Sequence, residues 1–385
     1  MSEYQYYEFQ TVDRLLTQDQ MRDLRAYSSR AQITPSSFVN VYNWGDFKGN
    51  PDQWLERYFD AFLYLANWGS RWLMFRVPKQ LLDPDTASAY CTEENMSCRT
   101  TGGHLIVSFR SEEEEYEWSE GEGWLASLLP LRSDLMHVDH RCLYLGWLLS
   151  GQGGGLDDDT LEPPVPPGLE NLNAPLRCLA DFLRLDRDLI AAAAEQSAEG
   201  PAFVLSKEDI ARWVAELPSK DKDAVITRMI EGDDLYIVAE IRQRALAEIH
   251  AVRETSVGSR SSGRRSVGQL VARAKVIAEE RRRKEAAQAV REQAKREREQ
   301  AEKRKQHLKS LVGKESGLWA KVDNLIAIKQ AKRYDEAVSL LHDLHDLAGM
   351  KGKNSDFSLR MSALYSEHKR KTTLVDRFRK AKLLG

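Results

Sequence analysis

The sequence predicts an α+β N-terminal domain, a small mixed sheet with helices on one face. An all-α region follows, made of a helical domain, a long charged helix and a small C-terminal helical hairpin domain. Three observations predict it. Between residues 4 and 110, short segments rich in Tyr, Phe, Trp and Val alternate with stretches of helical period. From residue 174 onward, apolar residues recur at helical spacing. From Ser266 to Val312, bulky apolar side chains almost vanish from a run of Arg, Lys, Glu, Gln and Ala.

In order, Tyr4–Val12 reads as a first strand. Thr17 caps a helix that begins Gln18-Asp19-Gln20-Met21 and runs to about Ser28, because a hydroxyl oxygen accepts a bond from a free N–H at a helix start. Phe38–Trp44 alternates as a second strand and ends in the turn-rich Gly45-Asp46-Phe47-Lys48-Gly49-Asn50-Pro51. Asp52–Ala66, with Leu55, Tyr58, Phe59, Phe62, Leu63 and Ala66 along one side, is predicted as a helix closed by Asn67-Trp68-Gly69-Ser70. Arg71–Pro78 and His104–Arg110 are the third and fourth strands. The order β-α-β-α-β-β is that of an open, ferredoxin-like α+β sandwich.

Glu112-Glu113-Glu114-Glu115-Tyr116-Glu117 reads as a solvated acidic loop, and Trp124–Leu135 and Arg141–Ser150 as helices packed on the sheet. These elements place an α+β domain at residues 1–150. Gly153-Gly154-Gly155 and Pro163-Pro164-Val165-Pro166-Pro167 mark a linker, 151–173, since Pro and Gly stop helix and strand alike. A helical domain, 174–252, holds Ala174–Leu185, Asp186–Gln196, Ser206–Leu217, Ser219–Gly232 and Asp233–Val252, with Ser206 and Ser219 at helix starts. A Ser-, Gly- and Arg-rich hinge, 253–268, precedes the long helix, 269–312, and a basic helical domain, 313–385, ends the chain. In that last part Trp319, Val322, Leu325 and Ile326 mark one helix. Tyr334, Ala337, Val338, Leu341 and Leu344 mark a second, and Phe357, Leu359, Met361, Leu364 and Tyr365 a third.

The long helix rests on propensity. Ala, Glu, Lys, Arg and Gln are strong helix formers, and Glu279/Arg283, Glu280/Lys284, Glu292/Arg296 and Glu299/Lys303 are i,i+4 pairs in the favourable order, each worth roughly 0.2–0.5 kcal/mol. Some 45 residues at about 1.5 Å each reach about 65–70 Å. No sustained seam of Leu, Ile or Val accompanies it. Three readings stand: a solvated spacer helix, a nucleic-acid or ribosome-binding arm, and a self-associating coiled coil. The arm reading selects the basic clusters Arg281-Arg282-Arg283-Lys284 and Lys303-Arg304-Lys305, joined by Lys369-Arg370-Lys371 near the end.

A formal net charge of −3 conceals a strong asymmetry. Residues 1–250 hold 23 Lys and Arg against 42 Asp and Glu, and residues 251–385 hold 33 against 17, so the two parts carry −19 and +16. The expected partners follow: a protein for the acidic, aromatic front and DNA, RNA or a ribonucleoprotein for the tail, with homo-oligomers through head-to-arm attraction as a third arrangement. Trp44, Asp46, Phe47, Trp54 and Trp68 are the partner-binding candidates, in a cluster that reads either as a helix-to-sheet core corner or as a pocket. Four irregularly spaced cysteines make no disulfide framework, and no apolar run is long enough to span a membrane. The expected setting is cytoplasmic.

Lys332-Arg333-Tyr334-Asp335-Glu336-Ala337-Val338 resembles the second half of a tetratricopeptide-type hairpin, in a single copy. From Leu217-Pro218 to Lys382-Leu383-Leu384, and above all at Leu318-Trp319, Leu325-Ile326, Tyr334-Asp335-Glu336-Ala337-Val338 and Leu344-His345-Asp346-Leu347-Ala348, the chain resembles the C-terminal region of bacterial proteins of the SWIM zinc-finger family. The front half, with Ser29-Arg30-Ala31-Gln32-Ile33-Thr34 and Asn43-Trp44-Gly45-Asp46-Phe47-Lys48-Gly49, is similar to a widespread family of uncharacterised bacterial proteins. The Cys-x-Cys and Cys-x-His zinc motif is missing, so the SWIM metal site is not carried over. Cys91, Cys98, His104, His137, His140 and Cys142 are nevertheless residue types that zinc selects, and they support a second reading, a metal-dependent hydrolase or nuclease. No phosphate loop, nucleophile elbow or cofactor motif appears, so no cofactor and no catalytic residue is assigned.

Overall fold

The structure, a computed structural model, describes residues 3–112, 120–198, 205–232, 234–254 and 264–383. It divides into two compact units, Met1–Arg281 and Arg282–Gly385. Most of the acidic run after Ser111 and of the expected hinge lies outside the described residues.

In the first unit seven strands form one sheet in the order β2-β3-β1-β4-β5-β7-β6: β1 (Gln5–Gln10), β2 (Gln32–Thr34), β3 (Ser37–Tyr42), β4 (Ala61–Ala66), β5 (Arg71–Pro78), β6 (Met96–Thr101) and β7 (His104–Ser111). The class is the expected α+β followed by all-α. The sheet, however, is larger than anticipated, and its six pairings are all antiparallel rather than mixed. The helices of this region are α1 (Gln18–Arg25), α2 (Pro51–Arg57), α3 (Pro84–Ser88), α4 (Trp124–Leu128), α5 (Pro130–Met136), α6 (Arg141–Gln152), α7 (Ala174–Leu183) and α8 (Arg187–Ala194).

These helices cover both faces of the sheet, not one. Strand alternation sends Tyr6, Leu63, Leu73, Phe75, Val107 and Phe109 to a face packed by Leu125, Leu131, Leu145, Leu179 and Leu189 of α4 to α8. It sends Tyr7, Phe9, Phe38, Phe62, Met74 and Ile106 to the other, packed by Leu24 of α1 and Trp54 and Leu55 of α2. Thr17 caps α1 as expected and forms a full capping box with Gln20. On the first face the approach is close enough that a Cβ on Gly146 of α6 would stand 2.7 Å from the Phe109 ring, so only glycine fits there.

The helix expected over Asp52–Ala66 is instead α2 followed by β4. Asn50 caps α2 through a 3.1 Å bond from Gln53 N, and the helix stops at Tyr58. At the start of the strand, Asp60 N donates to Gln10 O at 2.8 Å, while the Asp60 carboxylate accepts from Val12 N at 2.7 Å and Asp13 N at 3.0 Å, which fastens the chain beside β1. Ala61–Ala66 lies between β1 and β5 and is packed on both faces, so apolar residues fill nearly every position and fit a helical period by accident.

Residues 151–173 are pinned rather than loose at two points. Tyr90 OH donates to Pro164 O at 2.9 Å. Glu162, 1% exposed, accepts two bonds of 2.8 Å from Arg265 and one from Tyr144 OH, and Glu162 N donates to Arg265 O at 2.8 Å. Beyond them α9 (Lys207–Glu216), α10 (Ser219–Glu231) and α11 (Ile237–Glu254) follow, and then α12, which runs unbroken from Val267 to Leu311. Ser266 and Gln269 close a capping box at its start, with bonds of 3.0 and 3.3 Å, and Val267, Leu270 and Ala274 join the core of the first unit.

The second unit takes α12 from Arg282 onward together with α13 (Glu315–Ala327), α14 (Ala331–Lys351), α15 (Asn354–His368) and α16 (Thr372–Lys380). Trp319, Val322, Ile326, Tyr334, Ala337, Leu341, Phe357, Met361, Leu364, Leu374 and Phe378 make its core. Leu359, grouped with that core by its spacing, faces solvent instead, and α16 adds a helix that the sequence reading lacks.

Candidate functional site

The arm is a consequence of composition. Its 45 residues hold 14 Lys and Arg against seven Glu, and every residue from Arg282 to Lys303 is exposed. A helix polar all round gains nothing from a core, so helix formers and local contacts carry it. Gln288 and Gln293 bond Glu292 and Glu297 at 3.0 Å, and Lys295 Nζ lies 3.9 Å from Glu299. Across the second unit, residues 282–385, Lys and Arg outnumber Asp and Glu by 26 to 14.

The basic residues selected from the sequence separate into two groups. Arg281 is clamped to Asp188, with Nε to Oδ1 at 3.0 Å and Nη2 to Oδ2 at 2.9 Å. Arg304 holds Asp346 at 2.7 Å and also bonds Asp343, whose other oxygen meets His307 Nε2 at 3.0 Å. Hydrogen bonding to Asp346, against the cost of partial burial, holds the Arg304 guanidinium above its usual pKa. These two arginines therefore serve the fold. Arg282, Arg283, Lys284, Lys303 and Lys305 are exposed on the arm, and Lys369 and Arg370 are exposed in the turn after α15. Lys371 is half-buried and donates to Ile326 O at 3.3 Å.

The aromatic candidates divide as well. Trp54 is 3% exposed, with its ring 4.9 Å from that of Phe38, and Phe47 stacks on Tyr7 at 4.8 Å. Both belong to the core corner. Trp44 is 69% and Trp68 44% exposed. They follow β3 and β4, whose last residues, Tyr42 and Ala66, both pair with Gln5 of β1, so they flank the same end of the sheet. The Arg30 guanidinium lies 5.1 Å over the Trp44 ring, and Asp46 accepts from Gln5 Nε2 at 3.4 Å.

The Cys and His set does not form a centre. Among the described residues no three His, Cys, Asp or Glu side chains stand together as metal ligands. Cys142 is buried inside α6, and burial pushes its thiol up. Cys91 and Cys98 meet each other, and the bond between them lowers the Cys91 thiol and raises that of Cys98. Burial lowers the pKa of both His104 and His140, and His137 Nδ1 lies 2.7 Å from Ser133 O. All four cysteines are free thiols.

One polar cluster escaped the sequence reading. Asp60, fully buried, accepts from Arg76 Nε at 3.2 Å and Nη2 at 2.5 Å. Arg132, 2% exposed, donates to Asp13 at 2.5 Å and to Arg76 O at 2.8 Å, and Tyr236 OH donates to Asp13. Burial opposes ionisation of Asp60, but the Val12 N–H and the Arg132 and Arg76 charges outweigh it and hold the carboxyl below its ordinary value. Burial and Asp13 push Tyr236 up to about 12. The cleft beside it, about 410 Å³, is lined by Val12, Asp13, Arg132, His137, Tyr236 and Val238. Two carboxylates and two guanidiniums neutralise one another, and their bonds fasten α5 and the start of α11 to the sheet. The signal of this cluster in the sequence is a charge inside an apolar run, as at Arg76 in Trp-Leu-Met-Phe-Arg-Val.

Comparison with protein-family models, curated proteins and solved structures finds no match. Among the described residues no helix is long and apolar enough to cross a membrane.

Proposed function

We propose that the chain is a non-enzymatic binding protein of a reducing, cytoplasmic compartment whose C-terminal unit engages nucleic acid or a ribonucleoprotein. One observation carries the proposal: a basic unit, 26 Lys and Arg against 14 Asp and Glu, projects a helix whose surface is exposed without interruption from Arg282 to Lys303. Cations held in water on a stiff rod displace the counterions of a polyanion at little conformational cost, and that release is the main source of sequence-independent affinity. The first unit, with 30 Lys and Arg against 45 Asp and Glu, repels the same polyanion and is available to a protein partner, for which the exposed Trp44 and Trp68 are the anchors.

The test is what the protein carries when purified in low salt without nuclease. A high ratio of 260 to 280 nm absorbance, lost on a high-salt wash or on nuclease digestion, is the expected result. Protein that is free of nucleic acid in low salt and elutes as concentration-dependent oligomers would replace this function by head-to-arm self-assembly.

A further inference from the structure

The exposed cations of the arm are not spread evenly round it. Successive residues of an α-helix advance by about 100°, so the consecutive residues Arg281 to Lys284 point in four different directions and cannot meet one surface together. Lys284, Arg291, Lys295, Arg298, Lys305 and Lys309, by contrast, are separated by seven, four, three, seven and four residues. These steps keep all six within a sector of about 80° over a length of about 38 Å. All six are exposed.

The sector also faces away from the bundle. Within the second unit, α12 is anchored on α14 through Arg304 and His307, and Leu308 is its buried residue there. At about 100° per residue Arg304 and His307 lie on the side of the helix opposite the sector and Leu308 about 60° beyond its edge, so Lys305 and Lys309 stay in water while their immediate neighbours are engaged. Glu302 falls inside the sector, and Glu299 and Glu292 lie about 40° and 60° beyond its edge. The contact from Lys295 to Glu299, 3.9 Å between two exposed side chains, is of the kind readily exchanged for a phosphate.

We infer that these six side chains form a single line of phosphate contacts whose partner is the sugar–phosphate backbone of a double-stranded nucleic acid, bound without sequence preference. The inference rests on the nucleic-acid function proposed above and deepens it. Proteins that hold single strands combine a basic track with aromatic side chains on which bases stack. Residues 267–311 contain no Phe, Tyr or Trp. What remains is charge in a straight row. A duplex, with one phosphate per about 1.7 Å of axis, meets such a row anywhere along its length, whereas reading bases would require side chains aimed into a groove.

Two matched variants of the full chain test it. One replaces Lys284, Arg291, Lys295 and Arg298 of the row with Gln. The other replaces Arg282, Arg283, Arg296 and Lys303, equally exposed but outside the row, with Gln. Gln preserves helix propensity, and circular dichroism checks that both keep their helix content. Binding of a labelled blunt duplex of random sequence is then followed against salt. The row variant is expected to lose about 3.6 from the slope of log K on log salt and more than about 100-fold in affinity at 0.1 M salt, and the control less than about one in slope and less than about tenfold. Equal losses in both would overturn the row while leaving the nucleic-acid function standing. Tighter binding of a single strand than of the duplex would overturn the duplex assignment. Failure of the unaltered chain to bind any nucleic acid in low salt would overturn both the row and the function beneath it.

Discussion

Replacing Asp60 by Asn isolates the charge at the centre of the first unit while changing almost no volume. The carboxylate is fully buried and accepts four hydrogen bonds of 3.2 Å or less, two from backbone N–H groups and two from Arg76. Arg132 Nη2 stands 3.8 Å away. The Asn side chain can still accept from Val12 and Asp13, but it leaves Arg76 and Arg132, with side chains 8% and 2% exposed, to share the single carboxylate of Asp13. An uncompensated buried charge costs about 3–5 kcal/mol. With a urea dependence of about 3 kcal/mol per molar, the unfolding midpoint should drop by about 1–1.7 M. The pH dependence fixes the cause. Because the folded-state pKa of Asp60 is lowered, its contribution is complete above about pH 4 and is lost as the pH falls through the folded value, so the gap between the two proteins should close in acid. A loss below about 1 kcal/mol at pH 7, or a gap that does not narrow in acid, would refute the reasoning. Combining Asp60→Asn with Arg76→Met should cost less than the sum of the single changes, as expected for partners in one network.

Other expectations are more local. Trp54→Ala should cost about 3–5 kcal/mol in a denaturant titration, while Trp44→Ala should cost less than about 1 kcal/mol, because Trp54 is enclosed by Phe9 and Phe38 and Trp44 stands in water; equal effects would contradict the division of the aromatic cluster. Glu8 runs opposite to Asp60. Burial raises its pKa against the bonds from Tyr6 and Gln10, so its ionisation opposes folding, and the contribution present below about pH 4.3 is lost as the pH rises through the folded value. Glu8→Gln should therefore gain stability relative to the unaltered chain between pH 4 and pH 7, measured from unfolding midpoints at each pH. A constant difference would count against a raised carboxyl.

The legible parts of this chain were those whose structure is set by neighbours in sequence. Thr17 and Ser206 cap helices because a cap is a contact over three residues, and α12 was placed almost to the residue because helix propensity needs no partner. The illegible parts depend on what lies across space. Ala61–Ala66 became a strand only because β1 and β5 flank it, and β2 and β6, at the two edges of the sheet, are too short or too polar to announce themselves. Residues 151–173 read as a linker because Glu162 and Arg265, which tie them down, are far apart in sequence. In the same way Arg281 and Arg304 looked like members of basic clusters until Asp188, Asp343 and Asp346 appeared beside them, and the exposed row on α12 emerges only when spacing is read as angle.

Binding of nucleic acid by the basic helix through its phosphates, as proposed, predicts a steep dependence on salt. Fluorescence anisotropy of the full chain with a labelled duplex, titrated at salt concentrations from 50 to 200 mM, measures it most directly. About six phosphate contacts give an expected slope near −5 and a loss of about a thousandfold in affinity across that range. Binding that is flat with salt, or absent at 50 mM, would contradict it.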